Sequence, residues 1–589
     1  MRFKPTTRTR ALVALSSVGL LALAACGGSG NTTDSQGTFD QNSGAAGASR
    51  DPDRQPPAPD IPGAKSGGTV RVISNDGLNS MDPTEAYYIN TGSILTNLVT
   101  RSLTQYVYDE KSGDMILVPD LATDLGDHNA DYTKWTFEIR DGVKFENGQE
   151  VTADDIAFGI KRSFDRSTFP EGPSYSNDYF LDGDSYKGPY SDKGDYKGVT
   201  VDGNTLTIKM AKPFPDMPYW GTFPAMGPIP EGDASDPAKY ALHPWATGPY
   251  MFKEYVPEKS LTLVKNPNWD PDTDPGRHQY VDGWDMQFDV PSAKVDQIML
   301  NDEGDGQTTL TYDNIQSANF VTAKNDSSDR LVLGSSPCSF YWGPDYRTVT
   351  DMDVRKALAY AYPYQEAWAA GGEIVGVTRV PGTNLMPPGI PGRTEYNPLP
   401  DHEPGTTDAD KAKQLLQDSG NMDYPVKFLY SQDDPVSVDT KDAIVKGLKA
   451  AGFDPQPYAT TVADNSTLRA DPNTDINVRS SGWCSDWPTG SSWFPPVIQS
   501  TDIAEEGLGA NYSVFKEADV DKKIQEIQRM PIDEQNKAWN DLDKYVAETY
   551  FPLFSTGYAG VDMMHGSKIH NMFNDNTYGA PTFRDIWIG

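Results

Sequence analysis

More than five hundred residues, from Gly67 to Gly589, run on without an internal repeat. A body of that length outgrows one hydrophobic core and divides into two or three lobes. The lack of a fixed period excludes solenoids and propellers. In the first half, apolar residues alternate with polar ones at Trp135, Phe137 and Ile139, at Leu206, Ile208 and Met210, and at Leu261 and Leu263. That period of two predicts strands. Val199 to Leu206 reads as a hairpin turning at Asp202-Gly203. In the middle of the chain the spacing becomes helical. Val354, Ala357, Leu358 and Ala361 follow Asp353 and stop before Pro363. Thr407 is expected to cap a helix carrying Ala409, Ala412, Leu415 and Leu416 inward and ending at Gly420. Ile444, Val445 and Leu448 line another that ends at Gly452. Strands interleaved with helices predict a mixed α/β protein.

The N-terminus has a different character. Arg2, Lys4, Arg8 and Arg10 precede an apolar run from Ala11 to Ala25, interrupted only by Ser16, Ser17 and Gly19. The run is too short to span a bilayer and suits the apolar core of a signal peptide. It ends in Leu23-Ala24-Ala25-Cys26, which resembles the lipobox of bacterial lipoproteins. The reading is a signal peptide over 1–25 and a lipid on Cys26. Residues 27–66 are mostly Gly, Ser, Asn, Gln, Pro and Asp, with one aromatic, Phe39. Such a segment cannot build a core and is expected to be a flexible tether reaching about 35 Å. The protein would then sit on the extracytoplasmic face of the bacterial cell membrane, touching the membrane through its lipid alone.

Charge narrows the partners. The chain has 50 basic and 84 acidic residues, a net charge of −34, which argues against nucleic acid or anionic lipid. Three cysteines occur, at 26, 338 and 484. With Cys26 committed to lipid, Cys338 and Cys484 are either one disulfide or two buried thiols, and the residues alone leave both open.

Several segments together resemble one family, the family 5 solute-binding proteins of ABC importers, which include oligopeptide- and dipeptide-binding proteins. The resemblance rests on Gly67-Gly68-Thr69-Val70-Arg71-Val72, on Met81-Asp82-Pro83, on Leu117 to Ala122 leading into Trp135 to Gly148, and on Val151 to Asp155. It continues through Ala246 to Tyr250, Lys265 to Trp269, Asp408 to Gly420 and Gly482 to Asp486. Their order and spacing carry the resemblance, more than any one of them. It implies a two-lobed periplasmic-binding-protein-like fold (type II, cluster C) with an extra subdomain, a hinge and an interlobe ligand cleft. Lobe I would comprise 67–105, 225–337 and 556–589, with a subdomain over 106–224. Lobe II would comprise 338–555. The implied partners are a peptide ligand and ABC permease subunits with cytoplasmic ATPases, the binding protein itself being a monomer.

The resemblance also implies a site. In Arg479 to Trp487, Asp486 looks like the residue that accepts a peptide's α-ammonium group, a charge-assisted contact. Cys484 is implied to pair with Cys338, which would hold the aromatic strand Cys338 to Trp342 beside the Asp486 loop. Trp483, Tyr341 and Trp342 would wall the ligand, and Arg479 would meet a ligand carboxylate. Two departures stand out. Arg479 lies four residues before Trp483 where relatives have three, and a one-residue slip on a strand reverses the face. Trp487-Pro488-Thr489-Gly490 also differs from the usual continuation, so a sugar or metal chelate, or a regulatory role in envelope synthesis, stays open as an alternative.

Enzyme signatures do not assemble. His-Glu-x-x-His, a Walker loop and Gly-x-Ser-x-Gly are missing. Ser513 to Lys516 matches Ser-x-x-Lys without its companion motifs. Asp270-Pro-Asp272-Thr-Asp274 resembles the start of a calcium loop, but Pro275 and Val281 stand where that loop needs Gly and Glu. A turn is the expectation there, with no cofactor, no metal and no catalytic residue.

Overall fold

In a computed structural model, which describes residues 49–192, 196–503 and 507–589, two long strands organise the chain. Leu331–Pro344 and Phe554–His565 lie antiparallel within a nine-stranded sheet. On one side they are followed by Val478–Cys484. On the other come Thr309–Thr311, Thr69–Ile73, Gly283–Gln287, Ser260–Lys265 and Tyr250–Val256, and a ninth strand, Arg379–Val380, pairs with Phe554–His565 off this path. The long pair is built in two blocks. Leu331 to Ser335 face Met564 to Gly560, Ser339 to Trp342 face Tyr558 to Phe554, and the register slips between them. The first block continues into Thr309–Thr311 and the second into Val478–Cys484. The positions 337 and 555, expected as lobe boundaries, lie on these two strands. A break in the ladder between two paired blocks is where bending disturbs the fewest hydrogen bonds.

Thr69–Ile73 has parallel partners on both sides, Gly283–Gln287 and Thr309–Thr311. Parallel neighbours need a crossover, and the crossover between the first two carries a whole subdomain. Its four-stranded sheet runs Asp127–His128, Lys134–Glu138, Thr205–Lys209, Val199–Asp202. Trp135, Phe137, Leu206 and Ile208 face inward from it, the alternation read in the sequence. Helix Ala153–Arg162 covers that face with Ile156 and Ile160. It starts at a capping box in which the Asp155 amide donates to the Thr152 hydroxyl and the Thr152 amide donates to the Asp155 carboxylate. The hairpin forms one residue later than expected. Asp202 pairs with Thr205, so Gly203-Asn204 is the turn, with Gly203 at φ +62° in its first central position.

The second block holds its own βαβ unit, Pro425–Ser431 and Asp454–Thr460 in parallel across helix Pro435–Ala450. Helix Met352–Ala361 buries Val354, Ala357, Leu358 and Ala361 as their spacing predicts, and Asp351 caps it. Helix Ala409–Asp418 is capped by Asp408. The expected cap, Thr407, instead donates to the Tyr362 carbonyl. No described helix is long and apolar enough to cross a membrane.

The part of the expected 27–66 tether that lies within the described residues is held to the body. Residues 49–66 are hydrogen-bonded to the body: the Asp51 amide donates to the Leu117 carbonyl, the Ala58 amide to that of Asp274, and His278 contacts the Pro59 carbonyl. Arg50 then reaches Asp533 at 2.6 Å. Backbone donors and acceptors decide this, and composition says nothing about them. The signal-peptide and Cys26 expectations fall outside the described residues.

Asp274, which the sequence places in a turn, joins a fully buried quartet. Arg101 Nε lies 2.8 Å from Asp120 and 3.6 Å from Asp274, and Arg277 lies 2.9 and 3.2 Å from the same two carboxylates. Burial alone would raise the Asp274 pKa, but the guanidiniums of Arg101 and Arg277 outweigh it and hold the carboxyl well below its ordinary range.

Candidate functional site

The site is built where Val478–Cys484 ends. Cys338 and Cys484 are direct register partners and are joined by a disulfide. The Ser485 amide then donates to the Pro337 carbonyl at 2.8 Å, which fixes the outgoing loop against the break in the long strands. Pro488 cannot extend the sheet, and the chain turns. A side chain at Gly490 would collide with Trp539, since a Cβ there would sit 2.3 Å from the ring, so the turn packs tightly on helix Ile532–Thr549. The bridge closes a loop of sequence separation 146. Replacing both cysteines by serine is expected to cost about 3 kcal/mol, measurable as a lower denaturant midpoint of the variant than of the oxidised wild type. It is also expected to speed hydrogen exchange at Ser485.

Asp486 follows the disulfide and is buried. Tyr87 donates to its Oδ2 at 2.8 Å, and Tyr175 donates to the same oxygen. These tyrosines come from the other side of the molecule: Tyr87 precedes helix Ile89–Ile94, and Tyr175 opens helix Tyr175–Tyr179. Burial, reinforced by Asp486, pushes the Tyr175 pKa far up, so its hydroxyl stays a donor.

A second carboxylate meets the same loop. Asp216 Oδ2 accepts from Trp487 Nε1 and from the Thr489 hydroxyl, each at 3.0 Å, and from the Ser491 hydroxyl. The rings close around these groups. Trp487 lies 4.5 Å from Tyr175, Tyr175 lies 5.3 Å from Trp220, Trp220 lies 4.7 Å from Phe223, and Phe223 lies 6.3 Å from Trp487. The contact set contains one carboxylate held by phenols, a second held by an indole and two hydroxyls, and an aromatic lining. That is chemistry for holding a cationic or amide-rich group out of water. Among the described residues, no group of three or more His, Cys, Asp or Glu could hold a metal ion.

The residues singled out in the sequence separate here. Asp486 and the two cysteines come together. Trp483 is half-buried and donates to the Ser492 carbonyl at 2.8 Å. Trp342, expected at the ligand, is instead a core residue against Tyr362, Phe428 and Phe554. Tyr341 is buried in a different core, its hydroxyl donating to the Ala510 carbonyl. The reason is the pleat: neighbours on a strand point to opposite faces, and both faces of Leu331–Pro344 are covered here. Arg479 is also corrected. Its guanidinium is buried 2.9 Å from Asp345 and contacts the carbonyls of Arg469 and Asp471, so it braces the strand's start. Tyr87, Tyr175 and Asp216 were not singled out. Nothing local marks them, because each meets the loop across hundreds of residues of chain.

Comparison with known proteins places this geometry among relatives. The model of the bacterial extracellular solute-binding proteins, family 5, matches residues 117–505. The chain is similar to the periplasmic oligopeptide-binding protein OppA of Salmonella typhimurium, 22% identical over 76% of this chain and 82% of that one. It is also similar to the oligopeptide-binding protein AppA of Bacillus subtilis, 23% identical over 74% and 78%. Among solved structures, the clavulanic acid biosynthesis oligopeptide binding protein 2 superposes with a TM-score of 0.81 at 22% identity, covering 92% of this chain and 99% of that one. The unliganded open form of the murein tripeptide binding protein MppA gives 0.68 at 18% identity, covering 90% and 99%.

Proposed function

The chain belongs to the bacterial extracellular solute-binding proteins of family 5, and from that premise we propose that it captures peptides between its two lobes for an ABC importer. The family binds substrates and is not catalytic. The observation that carries the reading is Asp486, a buried carboxylate presented on a disulfide-braced loop to phenols from the opposite side of the cleft. A peptide's α-ammonium group is the natural partner for such a carboxylate, because a charge-assisted hydrogen bond is about twice as strong as a neutral one. Extended peptide backbone then pairs with the lobes as an added strand, and Trp483 offers a half-exposed ring beside it. Cys26 and its lipid keep the protein on the extracytoplasmic face of the membrane, near a permease driven by cytoplasmic ATPases. The named relatives that bind oligopeptides or a murein tripeptide support the peptide class.

Mass spectrometry of ligand carried through purification of the mature protein tests this. Short peptides are the expected content. A sugar or a metal chelate, with no peptide, would overturn the reading.

A further inference from the structure

We propose that Asp216 is the positioning residue that holds the Asp486 loop in the closed arrangement, and that it takes up a proton when the lobes meet. The inference uses the two-lobed closure of the reading above, but not the identity of the ligand.

The geometry supports it in three ways. Asp216 belongs to the subdomain, immediately before helix Met217–Trp220, whereas Trp487, Thr489 and Ser491 belong to the loop that follows Asp486. One carboxylate therefore gathers three donors from the facing lobe, within five residues of the proposed ligand anchor. Secondly, Asp216 is 1% exposed and its Oδ1 has no hydrogen-bond partner. A buried carboxylate oxygen left in that state is costly, and a proton lowers the cost. Thirdly, the facing groups can accommodate the proton. The Thr489 and Ser491 hydroxyls lie 2.6 Å apart and either can donate to the other, so one can turn to accept from a protonated Asp216 while the indole keeps donating.

The charged and titratable groups around Asp216 leave this intact. From the segment near the N-terminus, Arg50 favours the charged form, but it is itself paired with Asp533 of helix Ile532–Thr549. Tyr219 on the adjoining helix and Tyr106 on strand Thr104–Asp109 are neutral phenols whose pKa values burial raises, with Arg50 opposing at Tyr219 and neighbouring groups reinforcing at Tyr106. The facing loop contributes Trp487, Thr489 and Ser491, none of them charged. Burial is the largest influence on Asp216 and pushes its pKa up to about 6, against the opposing hydrogen bonds from Trp487 and Thr489.

The sign follows from linkage. Opening the lobes returns Asp216 to water and to an ordinary carboxylate pKa. The closed form therefore binds the proton more tightly and is favoured at low pH. Its advantage falls as pH rises from about 4 to about 6 and is flat above that, a change of roughly a hundredfold in the closed-to-open ratio.

Small-angle X-ray scattering of the ligand-free mature protein between pH 4.5 and 7.5 reads this directly. The expected result is expansion as pH rises toward about 6 and a constant radius above it, abolished in Asp216→Asn, whose amide cannot ionise. Thr489→Val removes a donor that favours the charged form and is expected to move the pH at which the radius levels off upward, which decides the matter if the Asn variant fails to fold. A pH-independent radius in the wild type, an expansion retained by Asp216→Asn, or an unmoved levelling-off pH in Thr489→Val would each overturn the proposal. No peptide is present in the experiment, so its failure leaves the peptide reading standing, and the reverse also holds.

Discussion

Asp120→Ala lowers the unfolding free energy by about 3–5 kcal/mol. The carboxylate touches Arg101 at 2.8 Å and Arg277 at 2.9 Å, and all three side chains are fully buried. Removing it leaves two guanidiniums in a low-dielectric interior with Asp274 as their remaining carboxylate, and breaking a buried pair from one side costs that much. The size of the effect does not mean that the quartet adds the same amount to the fold. Desolvation of four charges offsets most of their attraction, so an apolar replacement of the whole set costs far less than the single change. The quartet's position explains why the single change matters. Arg101 and Asp120 lie at the start of the subdomain insertion, whereas Asp274 and Arg277 lie where the chain returns toward Gly283–Gln287. The ion pairs close the neck of that insertion. Chemical denaturation of wild type and variant at pH 7 measures the cost. A loss below about 1 kcal/mol would contradict the burial argument. The pH dependence provides a second check. Because the Asp274 pKa is depressed in the folded state, its contribution is present above the ordinary carboxylate range and is lost as pH falls below it. Asp274→Asn is therefore expected to flatten the acid limb of the stability curve, with the larger deficit at neutral pH.

Much of the architecture was legible because it is local. The strands through Trp135 and Leu206 and the helix over Met352–Ala361 follow from apolar spacing, which a single pass along the chain reveals. The cysteine pair was legible through the family resemblance, since count alone left two buried thiols open. Its place as a direct register pair was not, since register depends on the partner strand. Caps were legible to within a residue, as Thr407 and Asp408 illustrate: both can cap, and the Tyr362 carbonyl takes the threonine hydroxyl. The aromatic run at Tyr341-Trp342 misled for a physical reason. A strand covered on both faces needs large apolar groups on alternate sides, and that pattern looks the same as an aromatic ligand wall. Arg479 misled in the same way, as a buried ion pair and a ligand clamp call for the same residue. The contacts that complete the site lay out of reach. Tyr87 and Tyr175 meet Asp486 over sequence separations of 399 and 311. No spacing rule connects residues so far apart, and the resemblance carried over only the side of the cleft that its motif covers.

Asp486→Ala is expected to weaken peptide binding by at least about thirtyfold and by as much as several thousandfold. The estimate comes from the cost of truncating one partner of a buried, hydrogen-bonded charge pair, about 2–5 kcal/mol, with each 1.4 kcal/mol worth a factor of ten. Titration calorimetry with trialanine, free or N-acetylated, isolates the contact. Acetylation removes the ammonium charge, so it should weaken binding to the wild type by a factor comparable to the mutation and leave binding to the variant nearly unchanged. That non-additivity is the signature of a direct contact. Equal binding of both peptides to the wild type would remove Asp486 from the anchor role. An unaltered affinity in Asp486→Ala would do the same. Arg479→Ala supplies the contrast. Its guanidinium is buried against Asp345, so the change should lower stability while the affinity of the folded fraction holds. Tyr175→Phe tests the remaining link. The hydroxyl donates to the same carboxylate oxygen that an ammonium would approach. Losing it should leave acetylated and free peptides still distinguished, with both bound less tightly, because the phenol orients the carboxylate while the carboxylate reads the charge.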